Sequence, residues 1–273
     1  MAPNSPKVQF HLGIPVHEQY FDDATMVHVQ ERLAESPEMT GQRRALTAAA
    51  RLSAGEHALD VGSGTGVLAN EMSRIVGTGG RVVGVDRSDL MIGSSRSKYP
   101  DVTFVKGDAT ALPVESASFQ LVTSSQVLCF LHDVGAALLE MHRVLDHGGR
   151  VALLDSHWDS LVWNSRNPAL MDRAVELLLE KYVDARLPAR LSRYLREAGF
   201  VDIDRQVFNI SNWDLTPDNY SAQTIGFIVP MMAASDAFDA KEQEAWLDSL
   251  RDVVRDGEYC FSLNRYIFTA RKP

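Results

Sequence analysis

Between positions 58 and 155, short apolar and β-branched runs alternate with segments whose apolar residues recur every three to four positions. That alternation is the pattern of a parallel sheet with helices on both faces. Strands are predicted at Ala58 to Val61, Arg81 to Val85, Val102 to Val105, Phe119 to Thr123 and Arg150 to Leu154. The clearest helix precedes the fifth strand: Asp133 supplies an N-cap, Val134, Ala137, Leu138, Met141, Val144 and Leu145 repeat at helical spacing, and Gly148-Gly149 follows as a stop. Residues 17 to 52 are helical in pattern, broken at Pro37, and form a lead-in. After the fifth strand come a polar, aromatic loop (Ser156 to Asn167) and helices over Pro168 to Tyr182 and Pro188 to Ala198. Two further strands are predicted, Val201 to Ile210 and Cys260 to Ala270, with a long helical stretch, Ser211 to Glu258, between them. The chain thus reads as α/β: a cap over 1–52, a sheet domain over 53–210 and 259–273, and a helical lid inserted at 211–258.

Composition narrows the class. With 273 residues, 45% hydrophobic and 23% charged, the chain has the make-up of a soluble globular domain with additions. Lys plus Arg number 27 against 36 Asp plus Glu, and the basic residues are scattered among acids, so nucleic acid is not expected as a partner. Cys129 and Cys260 lie far apart with no ligand spacing around them, which points to neither zinc nor a redox pair. Asp155 and Asp159 are two acids on one loop and do not make a metal site. The start, Met1 to Pro6, lacks the apolar stretch of a signal peptide, and Ile225 to Ala234 is half the length of a bilayer span. A cytoplasmic location without a membrane span is expected.

The strongest chemical constellation is Leu59-Asp60-Val61-Gly62-Ser63-Gly64-Thr65-Gly66, a strand ending in a glycine-rich turn that opens a helix. Glycines let the backbone turn sharply and approach a ligand, and the helix start presents unpaired N–H groups. Alone it fits a dinucleotide fingerprint, another nucleoside site or a plain connection. Asp86 ends the second strand, where a carboxylate accepts from ribose hydroxyls or caps a helix. Asp108, in Lys106-Gly107-Asp108-Ala109, ends the third and suits an adenine amino group or a turn. Thr123 to Leu128 leaves the fourth strand as a cofactor wall or an ordinary polar loop.

Together these residues resemble the class I S-adenosylmethionine-dependent methyltransferases, in particular the small-molecule group similar to the ubiquinone/menaquinone-biosynthesis enzymes. The likeness covers about Ala45 to Asp155 and includes Leu59 to Gly66, Asp86 followed by Met91, Gly107-Asp108-Ala109 with Leu112-Pro113, Phe119, and Arg143-Val144-Leu145 before Gly148-Gly149-Arg150. It implies a Rossmann-like seven-stranded sheet whose last strand is antiparallel. It also implies S-adenosylmethionine as cofactor and S-adenosylhomocysteine as product. Asp60, Gly62, Ser63, Gly64 and Gly66 would hold the methionine part, Asp86 the ribose, and Asp108 with Ala109 the adenine, with Arg87, Met91, Gly107 and Ser124 completing the pocket. His147 stands where this family usually has Pro. A nicotinamide-dinucleotide oxidoreductase is the competing reading, but its third glycine would fall at Val67, and Asp60 would face a pyrophosphate.

In-line transfer from a sulfonium needs positioning and exclusion of water more than a triad. A hydroxyl acceptor adds a general base, for which His157 leads, with His132 and His17 behind it and Tyr20 as a second catalytic candidate. The acceptor chamber is expected from Tyr20, Phe21, His157, Trp158, Trp163, Trp213, Tyr220, Phe227, Met231 and Met232, residues that would otherwise pack the core of the lid. Such a lining predicts a hydrophobic small-molecule acceptor, quinone-like, polyketide, indole or isoprenoid, methylated on carbon or oxygen. An S-adenosylmethionine-binding cyclase or isomerase and a non-catalytic binder are the alternatives. Homo-oligomerisation is open, since Phe10, Leu12, Ile14 and Val16 suit a neighbouring copy or the chain's own lid.

Overall fold

Ser36 and Pro37 divide the helical lead-in into α1 (Ala24–Glu35) and α2 (Pro37–Ala50). The Ser36 side chain accepts the Met39 N–H at 3.3 Å, and Pro37 takes a first-turn position that needs no donor. The computed structural model describes residues 24–273, and side chains from residue 27 onward. The sequence expectations for Phe10, Leu12, Ile14, Val16, His17, Tyr20 and Phe21 lie outside the described residues.

Beyond the lead-in come β1 (His57–Val61), α3 (Val67–Val76), β2 (Arg81–Asp86), α4 (Asp89–Lys98), β3 (Thr103–Lys106), β4 (Phe119–Ser125), α5 (Val134–Val144) and β5 (Leu145–Ser156). Next are the two-residue β6 (Val162–Trp163), α6 (Pro168–Leu179), α7 (Pro188–Glu197) and β7 (Val201–Asn212). The lid region holds α8 (Tyr220–Ala234) and α9 (Ala240–Arg255), and β8 (Phe261–Arg271) ends the fold. β3, β2, β1, β4 and β5 are parallel neighbours, β8 runs antiparallel against β5, and β7 pairs with the far side of β8. Since Phe261 and Ser262 are already paired with β7, the short β6 occupies the same side of β8 as β5 and prolongs it. β6 corrects the sequence reading, which left Ser156 to Asn167 as a loop and counted seven strands. Trp163 pairs with Phe261 across the ladder, and its ring packs edge-on to that of Phe261, 5.0 Å between centroids.

Three large cores follow from the layering. α5 and α7 cover one face through Leu138, Met141, Leu191 and Leu195. α2, α3 and α4 cover the other through Leu46, Met72 and Ile92. The third core lies among α6, α8, α9 and the start of β8, around Trp163, Trp246, Met231 and Phe261. Among the described residues no helix is long and apolar enough to cross a membrane.

Candidate active site

The turn after β1 is laced to the end of β2. Gly62 and Ser63 donate their N–H groups to the Val85 carbonyl at 2.7 and 3.0 Å, and Gly64 N–H donates to Asp86 Oδ2 at 2.8 Å. These donors, which precede the helix start at Val67, set the shape of the turn. The three glycines differ in what they allow. A Cβ on Gly62 would fall 2.2 Å from Val127, and one on Gly66, held at φ +81°, 2.6 Å from Phe104, so both are required by packing. A Cβ on Gly64 would meet nothing within 4 Å, which leaves this one open for a ligand.

Asp60 sits at the carboxyl end of β1, 2% exposed, and accepts the Thr123 hydroxyl at 2.8 Å. Burial, with the nearby Asp86 adding to it, pushes its carboxyl up to about 7. Asp86 accepts the Ser88 N–H at 2.9 Å as well as that of Gly64, and burial is the main cause holding it above the usual carboxylate range. Asp108, exposed just past β3, accepts the Thr110 N–H and hydroxyl, whose bonds lower its carboxyl. Arg87 adds positive potential to both acids. Gly107 is packed against Pro113, Ala109 rests on the core, and Met91 is buried with Val29 and Phe227, where α1 and α8 close over α4. A cavity of about 130 Å³ lies over this turn, lined by Asp60, Ser63, Gly64 and Ser125 from the sheet edge and by Gln42 and Arg43 from α2.

Several buried polar atoms here lack any hydrogen-bond partner: Ser63 Oγ, Ser124 Oγ, Gln126 Nε2 and both oxygens of Asp155. All stand at the carboxyl ends of β1, β4 and β5. Unpaired buried polar groups are costly, so their clustering on one sheet edge marks a binding surface. The donor set fits S-adenosylmethionine on chemical grounds: Asp60 and Asp86 offer carboxylates to an ammonium and to hydroxyls, and Gly64 leaves backbone room beside them. Two carboxylates flanking the turn would repel a pyrophosphate.

The acceptor-side expectations are partly corrected. His157 follows β5 and lies edge-on to Tyr266 at 6.1 Å, its N–H donating to Asn264 O. His132 is exposed beside the cap of α5. Trp213, just past β7, is 72% exposed among the described residues, which line no enclosed chamber with it. Trp158, Trp163, Tyr220, Met231 and Met232 are absorbed into the third core, and only Phe227 reaches toward Met91. Two of the expected residues also join an aromatic group with others: Phe130 is stacked on Tyr182 at 4.8 Å, Trp158, at the margin of the third core, is tilted to Tyr182 at 5.4 Å, and the Lys181 ammonium lies about 5 Å from the Tyr182 and Phe227 rings. Burial lowers Lys181 to about 8.

Arg265, Gln42 and Lys181 were missed in the sequence, Gln126 was read only as part of a cofactor wall, and Asp155, expected on a loop, lies in β5. Arg265 is 2% exposed, donates to Ser156 Oγ at 3.1 Å and to Gln42 Oε1, and lies 4.8 Å from the Tyr220 ring. A signal existed for two of them. Arg265 shares the inward face of β8 with Phe261, Leu263 and Ile267, and Asp155 follows Val151 and Leu153 on β5, each a charge in an apolar alternation.

Residues 59–153 match the family model described as a methyltransferase domain. Over 183 residues the chain is 34% identical to a demethylmenaquinone methyltransferase of Roseiflexus castenholzii, covering 60% of this chain and 75% of that one. Over 104 residues it is 43% identical to a 2-phytyl-1,4-naphtoquinone methyltransferase of Thermosynechococcus vestitus, covering 37% and 46%. In several such matches the chain spans under half of the curated relative's length. Among solved structures, phosphoethanolamine N-methyltransferase 2 of Haemonchus contortus, in complex with S-adenosyl-L-methionine, shares the fold with a TM-score of 0.60 at 20% identity, over 94% of this chain and 58% of that one.

Proposed function

Because the chain belongs to the class I S-adenosylmethionine-dependent methyltransferases, we propose that it moves the methyl group of S-adenosylmethionine onto a hydrophobic, hydroxyl-bearing aromatic acceptor, on carbon or oxygen. The observation that carries this reading is the pair of carboxylates, Asp60 and Asp86, flanking a turn whose middle glycine is open. In this reading Asp60 and Ser63 bind the methionine part, Asp86 and Arg87 the ribose side, and Asp108 with Ala109 the adenine edge, while Ser124 lies under the reacting centre. When bound, the cofactor supplies an electrophilic methyl group on sulfur. The chain's own residues hold the acceptor in line with it and keep water away. The aromatic group around Tyr182 gives a planar acceptor a stacking surface, and residues 211–258 act as the lid through Phe227. The relatives' names, quinone-ring methyltransferases, agree with an acceptor of this kind.

The reading is tested by calorimetric titration of the purified protein with S-adenosylmethionine, S-adenosylhomocysteine and NAD, alongside Asp86→Ala. Binding of the first two, lost in the variant, is the expected result; binding of NAD alone overturns it. Mass spectrometry of acceptor incubations then separates the classes. A product one methyl heavier, formed in step with S-adenosylhomocysteine, is expected from hydroquinols. Rearranged product without S-adenosylhomocysteine would identify a cyclase or isomerase, and methylation of glycine or ethanolamine would overturn the hydrophobic acceptor.

A further inference from the structure

Asp155 has no structural employment. It follows Val151 and Leu153 on the face of β5 covered by α5 and α7, is 1% exposed, and neither oxygen has a hydrogen-bond partner. No ion pair reaches it among the described residues. Leaving a carboxyl in this state works against folding; such groups persist where function retains them.

Its surroundings make a reaction site of that face. The turn after β4 brings Cys129, whose thiol and N–H approach the carboxyl without closing a hydrogen bond of ordinary geometry. Tyr266 is its cross-strand neighbour on β8, with His157 edge-on to that ring. From the segment after α6, Lys181 acts on Cys129, and Asp184 opposes ionisation of Asp155. Arg265 favours ionisation but is committed to Ser156 and Gln42. Gln126, in the left-handed region at φ +58°, follows β4 and accepts the Ser156 hydroxyl at 2.8 Å from across the strand end, with Nε2 buried and unpartnered. A buried acid, a buried amide donor and the aromatic group of Phe130, Trp158 and Tyr182 thus meet where β4 and β5 end.

We propose that Asp155 is the residue that takes the acceptor's proton, with Gln126 Nε2 donating to the acceptor oxygen. The inference rests on the methyltransferase reading. As the acceptor-to-methyl bond forms, the sulfur-to-methyl bond breaks and its electron pair stays on sulfur. The proton leaving the acceptor passes to Asp155 carboxylate, which becomes the neutral acid and later releases it to water. The sulfonium's positive charge and the carboxylate's negative charge are cancelled in the same event, so the step leaves no net charge in a site poorly served by water. Burial raises this carboxyl to about 7, which suits a base working near neutral pH.

The test compares wild type, Asp155→Asn and His157→Asn with 1,4-naphthohydroquinone as acceptor, following S-adenosylhomocysteine formation from about pH 5.5 to 9. Asp155→Asn is expected to lower kcat by about 10²- to 10⁴-fold, the usual share of a positioned base, with acceptor KM and cofactor Kd within about threefold. The acid limb of the wild-type profile, centred near 7, should vanish in this variant. A readout independent of turnover is the protonated-carboxyl stretch in infrared difference spectra of the folded protein between about pH 6 and 8, where Asp155→Asn should lose one component and keep the one that Asp60→Asn removes. Full activity and an unchanged limb in Asp155→Asn, or loss of the limb in His157→Asn alone, overturn the assignment. Absence of a component that Asp155→Asn removes also overturns it. A wild type that forms no S-adenosylhomocysteine with any hydroxyaromatic acceptor overturns the methyltransferase reading itself.

Discussion

Thr123 on β4 stands directly opposite Asp60 on β1 in the parallel ladder and donates its hydroxyl to the Asp60 carboxylate at 2.8 Å. The same hydroxyl is buried, and burial drives Asp60 toward its neutral form while this bond works against it. Thr123→Val keeps the shape and removes the donor. Calorimetry should show S-adenosylmethionine binding weakened about tenfold, the ~1–2 kcal/mol of a hydrogen bond to a charged group. Unchanged affinity would mean that the Asp60 ionisation state does not matter to the cofactor.

Glycine substitutions in one turn should separate fold from binding. Gly66→Ala places its Cβ 2.6 Å from Phe104 and 2.8 Å from Ser95 at φ +81°. Overpacking together with left-handed strain should cost about 2–4 kcal/mol, read from urea unfolding. Gly64→Ala meets no neighbour, so its stability loss should stay near 1 kcal/mol, while cofactor affinity falls at least tenfold. Equal stability losses in the two variants would contradict the assignment of Gly64 as the open side.

Stability should fall as the pH rises. Asp60 and Asp155 both have folded carboxyls raised to about 7, mainly by burial, against an ordinary value of 3.8. The folded state therefore binds more protons than the unfolded chain between those values. Their contribution is fully present below about pH 4 and is lost as the pH climbs through about 7. Other carboxylates, such as Glu56 paired with Arg150, act in the opposite sense at lower pH. The cleanest check is a difference: Asp155→Asn should melt higher than wild type at pH 8, with the advantage shrinking by about half at pH 5.5 and vanishing only toward pH 4. Melting curves that stay parallel across this range would contradict it.

Arg265 ties the two halves of the sheet edge together through Ser156 and Gln42, and Gln42 in turn donates to Ser125 Oγ at 3.1 Å. Arg265→Ala leaves Gln42 Oε1 buried without its donor and a void beside Tyr220. We expect about 3 kcal/mol of destabilisation by urea titration, in the range for breaking a buried charged network. Arg265→Met, which refills the volume, should recover part of it. Full recovery would show that packing rather than hydrogen bonding is what Arg265 contributes.

Much of the fold was legible because it rests on local signals. All seven predicted strands appear, most within two residues of their expected limits, from the apolar runs; the fifth starts earlier, at Leu145, so that Gly148 and Gly149, expected as a helix stop, lie within the strand. Pro37 did divide the lead-in, and Asp133 does cap α5, accepting the Ala136 N–H at 2.8 Å. The cofactor edge was also legible, since Asp60, Asp86 and Asp108 each end a strand, and a parallel sheet brings strand ends to one edge. β6 was hidden because two residues carry no periodicity. Where the candidate chamber aromatics would pack was not legible, because a side chain's hydrophobicity does not say which of two apolar surfaces it meets: Trp163 and Tyr220 lie against Phe261, and Trp213 is exposed.

By itself the sequence determined the order and kind of the elements and the acids that end β1, β2 and β3, because these depend on spacing along one chain. Only the tertiary structure decided that Gly62 and Gly66 answer to Val127 and Phe104 while Gly64 stays open. It alone left Asp155 without a partner and carried Arg265 across to Gln42, more than two hundred residues away. Whether a buried polar group finds a partner depends on atoms brought in by distant strands and helices, and no local pattern records that encounter.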